Sequence, residues 1–300
     1  MGLLDGRWVT DGGLETDLIF NQGVDLPEFA SFPLVDATDG VALLGRYYAD
    51  YVAIAAAADV GVVLETATWR ANPDWGRVLG YDAAALDRTS AAVDVVRRAL
   101  EGQEARAGLV SGSVGPRGDG YLAGGADPDE AADYHAAQVR SLADAGADLV
   151  HAMTMTEPAE AIGVVRAARA ADVPVAVSFT VETDGRLPDG STLAAAIAAT
   201  EAAASADFYG VNCAHPTHVL AGLDGGAWQD RLTFLRPNAS TLCHAELDVM
   251  EELDAGDLPL LVSRTGHLRE RLPAVAVVGG CCGTDSRHVA ALWGVDPGRR

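Results

Sequence analysis

Short apolar, β-rich runs alternate along this chain with long alanine-rich segments whose apolar positions recur at helical spacing. Strand-like runs fall near Trp8–Asp11, Val60–Thr66, Gly108–Ser113, Asp148–Met153, Val173–Thr180, Phe208–Asn212, Arg231–Arg236 and Val275–Val278. Between them the period predicts helices, roughly Asp39–Asp59, Asp82–Glu101, Pro128–Ala145, Pro158–Ala171, Ser191–Ser205, Pro216–Leu223, Asp257–Leu268 and Asp285–Trp293. Strand followed by helix, eight times over, is the pattern of a closed (β/α)8 TIM-type barrel with a parallel sheet. A doubly wound open sheet is the competitor, but no G-x-G-x-x-G follows the first strand. No composition break or linker divides the sequence, so residues 1–300 are read as one α/β domain. Near-repeats such as AGGAD and AGAD reflect alanine and glycine bias.

A barrel of this kind carries its chemistry at the C-terminal ends of the strands, in the loops that follow them. Polar and glycine-rich stretches fall there in turn: DGGLET, ETATWRAN, SGSVGPRGDGY, MTMTEP, FTVETDGRLPDG, NCAHPTH, RPNAS and GGCCGT. Turn chemistry accounts for part of this glycine and proline. That all eight loops are so rich points to a site on that rim.

Composition narrows the chemistry. A hydrophobic fraction of 49% and a charged fraction of 21% are those of an ordinary soluble globular protein. No apolar run is long enough to span a bilayer, and MGLLDGRWVTDGG lacks the basic start and apolar core of a signal peptide. A cytoplasmic address is expected, where thiols stay reduced and clustered cysteines point to metal or catalysis. The formal charge of −22 argues against nucleic acid or an anionic membrane as partner; self-association into a homo-oligomer is left open. All 21 basic residues are arginine and none is lysine. That removes Schiff-base catalysis, covalent pyridoxal phosphate and the lysine of phosphate loops.

Only four cysteines are present, and two of them, Cys281 and Cys282, stand side by side between glycines. Neighbours on a regular strand face opposite ways, whereas glycine permits backbone angles that turn both sulfurs to one side. Cys213 ends the sixth strand, and barrel closure brings it to the same rim. Cysteine is also a common small buried hydrophobe, but adjacency between glycines with a third cysteine at another strand end favours a metal. Three thiolates with an open fourth position suit a catalytic Zn2+ site. A thiol entering such a site gives up its proton and stays electron-rich, which suits alkylation at sulfur. Hydrolytic zinc uses nitrogen and oxygen ligands more often. His215 and His218 follow Cys213 closely but read as residues of a helix start at Pro216, and Cys243 reads as structural.

With these residues in hand, the chain resembles the zinc-dependent homocysteine S-methyltransferase family, essentially end to end. The resemblance is carried by DGGLET at 11–16, GSVGP at 112–116, GVNC at 210–213, PN at 237–238 and GGCCGT at 279–284. GVNC with GGCC is the specific pair. The resemblance implies a barrel that holds zinc through Cys213, Cys281 and Cys282 and transfers a methyl group to homocysteine, a step of methionine formation. It also implies that Asp11 helps hold the amino acid and that the amides of Gly12 and Gly13 meet its carboxylate. Two departures stand out. Where the family carries a glutamate after the fourth strand this chain has Met153, with Glu157 four residues on. Where the family often reads T-Y-Q-A this chain reads TWRA, so that Arg70 replaces a neutral residue. Losing an acid and gaining a base makes an ammonium less welcome and a carboxylate more so, which leaves another small thiol carboxylate as a second candidate acceptor. No segment for cobalamin or folate is read within the 300 residues, so a free sulfonium donor, S-methylmethionine or S-adenosylmethionine, is the simplest expectation. Trp69, Trp75 and Tyr121 lie on rim loops, a placement that suits ordinary loop packing as well as facing such a cation. A zinc hydrolase and a non-catalytic thiol-binding paralogue are the rival readings.

Overall fold

The computed structural model describes residues 2–102 and 105–296. Eight parallel strands, β1 (Trp8–Thr10), β2 (Gly61–Glu65), β3 (Gly108–Val114), β4 (Leu149–Met155), β5 (Val175–Phe179), β6 (Phe208–Asn212), β7 (Leu232–Arg236) and β8 (Val277–Val278), close into a barrel in sequence order. A helix follows each strand: Thr38–Ala57, Ala92–Leu100, Pro128–Asp144, Pro158–Ala170, Leu193–Ala203, Pro216–Ala221, Leu258–Arg271 and Ser286–Trp293. The (β/α)8 expectation holds, and every expected strand is present to within two residues at its ends.

Two local expectations are corrected. The helix expected over Asp82–Glu101 is broken into Ala83–Arg88 and Ala92–Leu100 by a 3-10 turn at Thr89–Ala91. There the Thr89 hydroxyl donates to the Leu86 carbonyl at 2.6 Å and that of Ser90 to Asp87 at 2.7 Å, side-chain competition that disturbs a helix. The stretch after DGG, read as loop, is a helical turn at Leu14–Thr16 running into a π-helical turn at Asp17–Asn21.

The barrel interior changes character along its axis. Strands such as GVVLE and VAVSF are buried at every position, because the sheet is covered on both faces. At the N-terminal end Trp8, Val63, Leu149, Ala176, Phe234 and Val277 form an apolar plug. Gly61 pairs with Trp8, and a Cβ on it would sit 2.3 Å from the indole, so the plug needs glycine there. Two residues further along each strand, on the same face by the period of two, stand Thr10, Glu65, Ser111, His151, Ser178 and Arg236, all buried. The apolar layer supplies stability; the polar layer is the floor of the rim.

Candidate active site

GGCCGT folds as a tight turn that leaves the end of β8. The Cys281 amide donates to the Pro237 carbonyl at 2.8 Å, the Thr284 amide returns to the Cys281 carbonyl at 3.0 Å, and the Ala239 amide donates to the Cys282 carbonyl at 3.1 Å. Gly283 has φ +78°, and a Cβ on Gly280 would lie 2.0 Å from the Thr284 hydroxyl. The glycines therefore allow a chain path that an L side chain would block, and this path brings both sulfurs to one point. Cys213 joins them from the end of β6 in the left-handed region, φ +56°, a strained setting for a residue with a side chain. Its carbonyl accepts from His244 Nε2 at 2.6 Å and from Thr180 Oγ1 at 3.2 Å. His244 is held in turn by Glu182 at 2.7 Å.

The three sulfurs lie within 4.8 Å of one another, with Cys213 and Cys282 at 3.5 Å. Tetrahedral zinc with bonds near 2.3 Å requires sulfurs about 3.8 Å apart, so the donor set fits. His215 and His218 stand outside this group, engaged with Thr217 at 2.7 Å and with the Thr241 carbonyl at 3.1 Å. Cys243 is also outside, at the N-cap of His244–Leu247. Hydrogen bonds from Cys213 and Cys282, then Arg236 and Asn212, pull the Cys281 thiol well below its ordinary range, while those same hydrogen bonds push the other two up. Negative charge is thus already favoured at one sulfur. Asn212 is set for this, with Nδ2 at 3.6 Å from Cys281 Sγ and 2.8 Å from the Thr154 hydroxyl, and Oδ1 receiving the Thr154 amide at 2.7 Å.

Beneath the sulfurs runs a buried polar chain in which Asp11 is joined by Arg236, Glu65 and His151, which the sequence did not single out. Arg236 Nη1 is 2.6 Å from Asp11 Oδ1 and 3.8 Å from Glu65 Oε1, and Nη2 reaches the Gly12 carbonyl at 3.3 Å. Glu65 Oε1 lies 2.7 Å from His151 Nδ1, and His151 Nε2 lies 2.7 Å from the Ser178 hydroxyl. Burial pushes the Asp11 carboxyl up, and Arg236 works against that rise. Asp11 is thus at the site, but with its charge already answered.

A cavity of about 460 Å3 opens over these groups, within the ~300–1,000 Å3 usual for small-molecule sites. Asp11, Gly12, Gly13, Arg70, Met153, Trp69, Tyr121 and the three cysteines all line it. The Gly13 amide donates to the Thr284 carbonyl at 3.0 Å. Met153 sits beside a β-bulge in β4, its sulfur 3.6 Å from the Ser113 hydroxyl. Glu157 is turned away: its carboxylate receives the Gly124 and Ala126 amides at 2.9 and 3.0 Å. Arg70 stacks over Trp75 at 4.0 Å and Trp69 at 5.3 Å and donates to the Glu28 carbonyl. Trp75, for which the sequence left both a donor-facing role and ordinary loop packing open, packs against this internal cation and lies off the cavity wall. Tyr121 stacks on His244 at 4.0 Å and places its hydroxyl 3.4 Å from Cys213 Sγ and 3.8 Å from Cys282 Sγ. Glu15, in the turn the sequence left as loop, is a further wall residue, next to Ser31.

Fold and site together define a (β/α)8 protein with three cysteine sulfurs clustered on the C-terminal rim. The family profile described as Homocysteine S-methyltransferase matches residues 8–294; the chain belongs to the homocysteine S-methyltransferase family and is a methyltransferase by that membership. It is 29% identical over 265 residues to the Homocysteine S-methyltransferase of Escherichia coli (strain K12), covering 76% of this chain and 77% of that one. Two solved structures of the homocysteine methyltransferase MmuM from E. coli share its fold. The metallated form covers 97% of this chain and 96% of its own at a TM-score of 0.74 and 23% identity, and the oxidized form covers 95% and 94% at 0.74 and 23%. No helix among the described residues is long and apolar enough to cross a membrane.

Proposed function

We propose that this protein is a zinc enzyme, one domain over residues 1–300, that moves a methyl group from a small sulfonium donor to homocysteine in the cytoplasm. The observation that carries the reading is the convergence of Cys213, Cys281 and Cys282 within 4.8 Å at the floor of the cavity. Zinc held by three thiolates supplies a site at which an incoming thiol loses its proton yet keeps a nucleophilic sulfur.

The chain's own groups do the rest. His244 and Thr180 hold the Cys213 carbonyl, so its strained backbone is fixed before substrate arrives. Tyr121 closes one side of the sulfur cluster and Met153 presents an apolar wall to the acceptor's methylene groups. Asp11 and the Gly12 backbone stand where the acceptor's amino-acid end would lie, and Arg70 offers its carboxylate a charge-assisted partner. Transfer breaks the donor's S–CH3 bond, makes an S–CH3 bond to the acceptor and leaves the donor as a neutral thioether. It needs a linear approach of the two sulfurs, which positioning in a closed cavity provides. For the donor, eight carboxylates line the cavity (Asp11, Glu15, Glu28, Glu65, Asp119, Asp248, Glu252, Asp254) against two guanidiniums, Arg70 and Arg236. Glu28, Asp248 and Glu252 are exposed, and such an excess draws in a positively charged donor.

The test is incubation of zinc-loaded protein with homocysteine and, in separate arms, S-methylmethionine or S-adenosylmethionine, following methionine. Methionine formed in either arm, and lost on chelation, is the expected result. Thiol binding without turnover in both arms would leave a non-catalytic thiol-binding protein in its place.

A further inference from the structure

The cavity contains an acid to which the mechanism above gives no contact of its own. Asp11 is neutralised by Arg236 at 2.6 Å, Glu65 is held by His151 at 2.7 Å, and Met153 brings no charge at all. Glu15 differs from all three. Its Oε1 accepts from the buried Ser31 hydroxyl at 2.6 Å, and among the described residues no guanidinium or imidazole lies within ion-pair distance of it. Burial pushes its carboxyl up, with the Cys281 sulfur adding to the rise and Arg70 opposing it. The carboxylate lines the same cavity as the sulfur cluster and Arg70, half-buried and without an ion-pair partner among the described residues.

Its placement is fixed by contacts on either side of it in the chain. Gly13 donates to the Thr284 carbonyl at 3.0 Å, and Thr16 Oγ1 accepts from the Gly283 amide at 3.1 Å. The short turn that carries Glu15 is thus sewn on either side to the turn that carries Cys281 and Cys282. A rigid distance between a thiol-binding point and a carboxylate is a gauge for a molecule that bears both a sulfur and a cation.

We propose that Glu15 receives the ammonium group of an α-amino thiol acceptor whose sulfur is bound at Cys213, Cys281 and Cys282. Ser31 holds one oxygen of the carboxylate and leaves the other for the ligand. This rests on the methyl-acceptor reading above and revises the charge balance drawn from Met153 and Arg70, since the acid absent from β4 is supplied from the loop after β1. Arg70, on the wall of the same cavity, then meets the acceptor's carboxylate.

The test is calorimetric binding of homocysteine and of its desamino analogue, 4-mercaptobutyrate, to zinc-loaded wild type and Glu15→Gln, with S-methylmethionine as a third ligand. The glutamine keeps the shape and the Ser31 contact. It should weaken homocysteine by about ten- to a hundred-fold, the worth of one charged hydrogen bond, and leave 4-mercaptobutyrate unchanged. Equal affinity for both thiols in wild type and variant overturns the proposal, as does an equal loss for both, which marks a structural role. A loss confined to S-methylmethionine overturns it too, by giving the acid to the donor. Failure of wild type to bind either thiol refutes the methyl-acceptor reading beneath it instead.

Discussion

Replacing Arg236 with methionine removes the guanidinium from the barrel floor while keeping most of the side chain's length. Its side chain is 3% exposed, and those of Asp11 and Glu65 are 2% and 5%. At an effective dielectric near 20, a pair at 2.6 Å attracts by about 6 kcal/mol and one at 3.8 Å by about 4 kcal/mol, before the cost of desolvation is deducted. Removing one partner of such a buried pair leaves the other uncompensated, and the observed cost in such cases is about 3–5 kcal/mol. We expect that loss for Arg236→Met at pH 7, seen as a fall of the thermal midpoint of the order of 10 °C. The sign of the pH dependence follows from Asp11. Its carboxyl is already raised by burial and held back by Arg236, so removing the arginine raises it further. A group with a raised native pKa contributes fully below its unfolded value, ~3.9, and that contribution is lost as pH rises through the folded value. The deficit of the variant should therefore shrink from pH 8 to pH 5, and Asp11→Asn in the same background should restore part of it. Denaturant unfolding of metal-loaded and metal-stripped protein at both pH values measures this. A loss under about 1 kcal/mol, or one of equal size at pH 5 and 8, would refute the argument that Arg236 is there to answer buried carboxylates.

Cys281→Ala and Cys282→Ala should each lose bound zinc, read by metal analysis, whereas Cys243→Ser should keep it; full zinc in either alanine variant would unseat the ligand set. His244→Phe should preserve an aromatic surface for Tyr121 but release the Cys213 carbonyl, weakening zinc by about 10–100-fold in a chelator competition; unchanged affinity would show that the strained backbone holds itself. Burial opposes ionisation of Asp285, but its His288 and Arg287 contacts override this and hold the carboxyl well below the usual range. It caps the last helix through the Arg287 and His288 amides. Asp285→Ala should then cost about 1 kcal/mol at neutral pH and less as pH falls below the unfolded carboxylate value; a cost that grows in acid would contradict it.

The sequence by itself determined the architecture and pointed to the cysteine cluster. Local periodicity is a property of consecutive residues, so eight strand-and-helix units were readable, and closure of eight parallel strands obliges their ends to share one rim. That was enough to bring Cys213 and the Cys281–Cys282 pair together, and the family motifs agree. The legible signal stopped at strand ends. Arg236 closes the run LTFLR as a lone charge after apolar residues, which hints at function, but its meeting with Asp11, 225 residues away in sequence, depends on register across the closed sheet. Glu157 lies four residues after Met153, yet the structure turns it onto the Gly124 and Ala126 amides, and Arg70 is drawn onto Trp75. Glu15 was hidden because nothing in DGGLET distinguishes a loop from a turn pinned to Gly283 and Thr284. Only the tertiary structure decided these partnerships. Side-chain direction at a rim is set by strand register, by left-handed residues such as Cys213 and by contacts across the barrel, none of which leaves a period in the sequence.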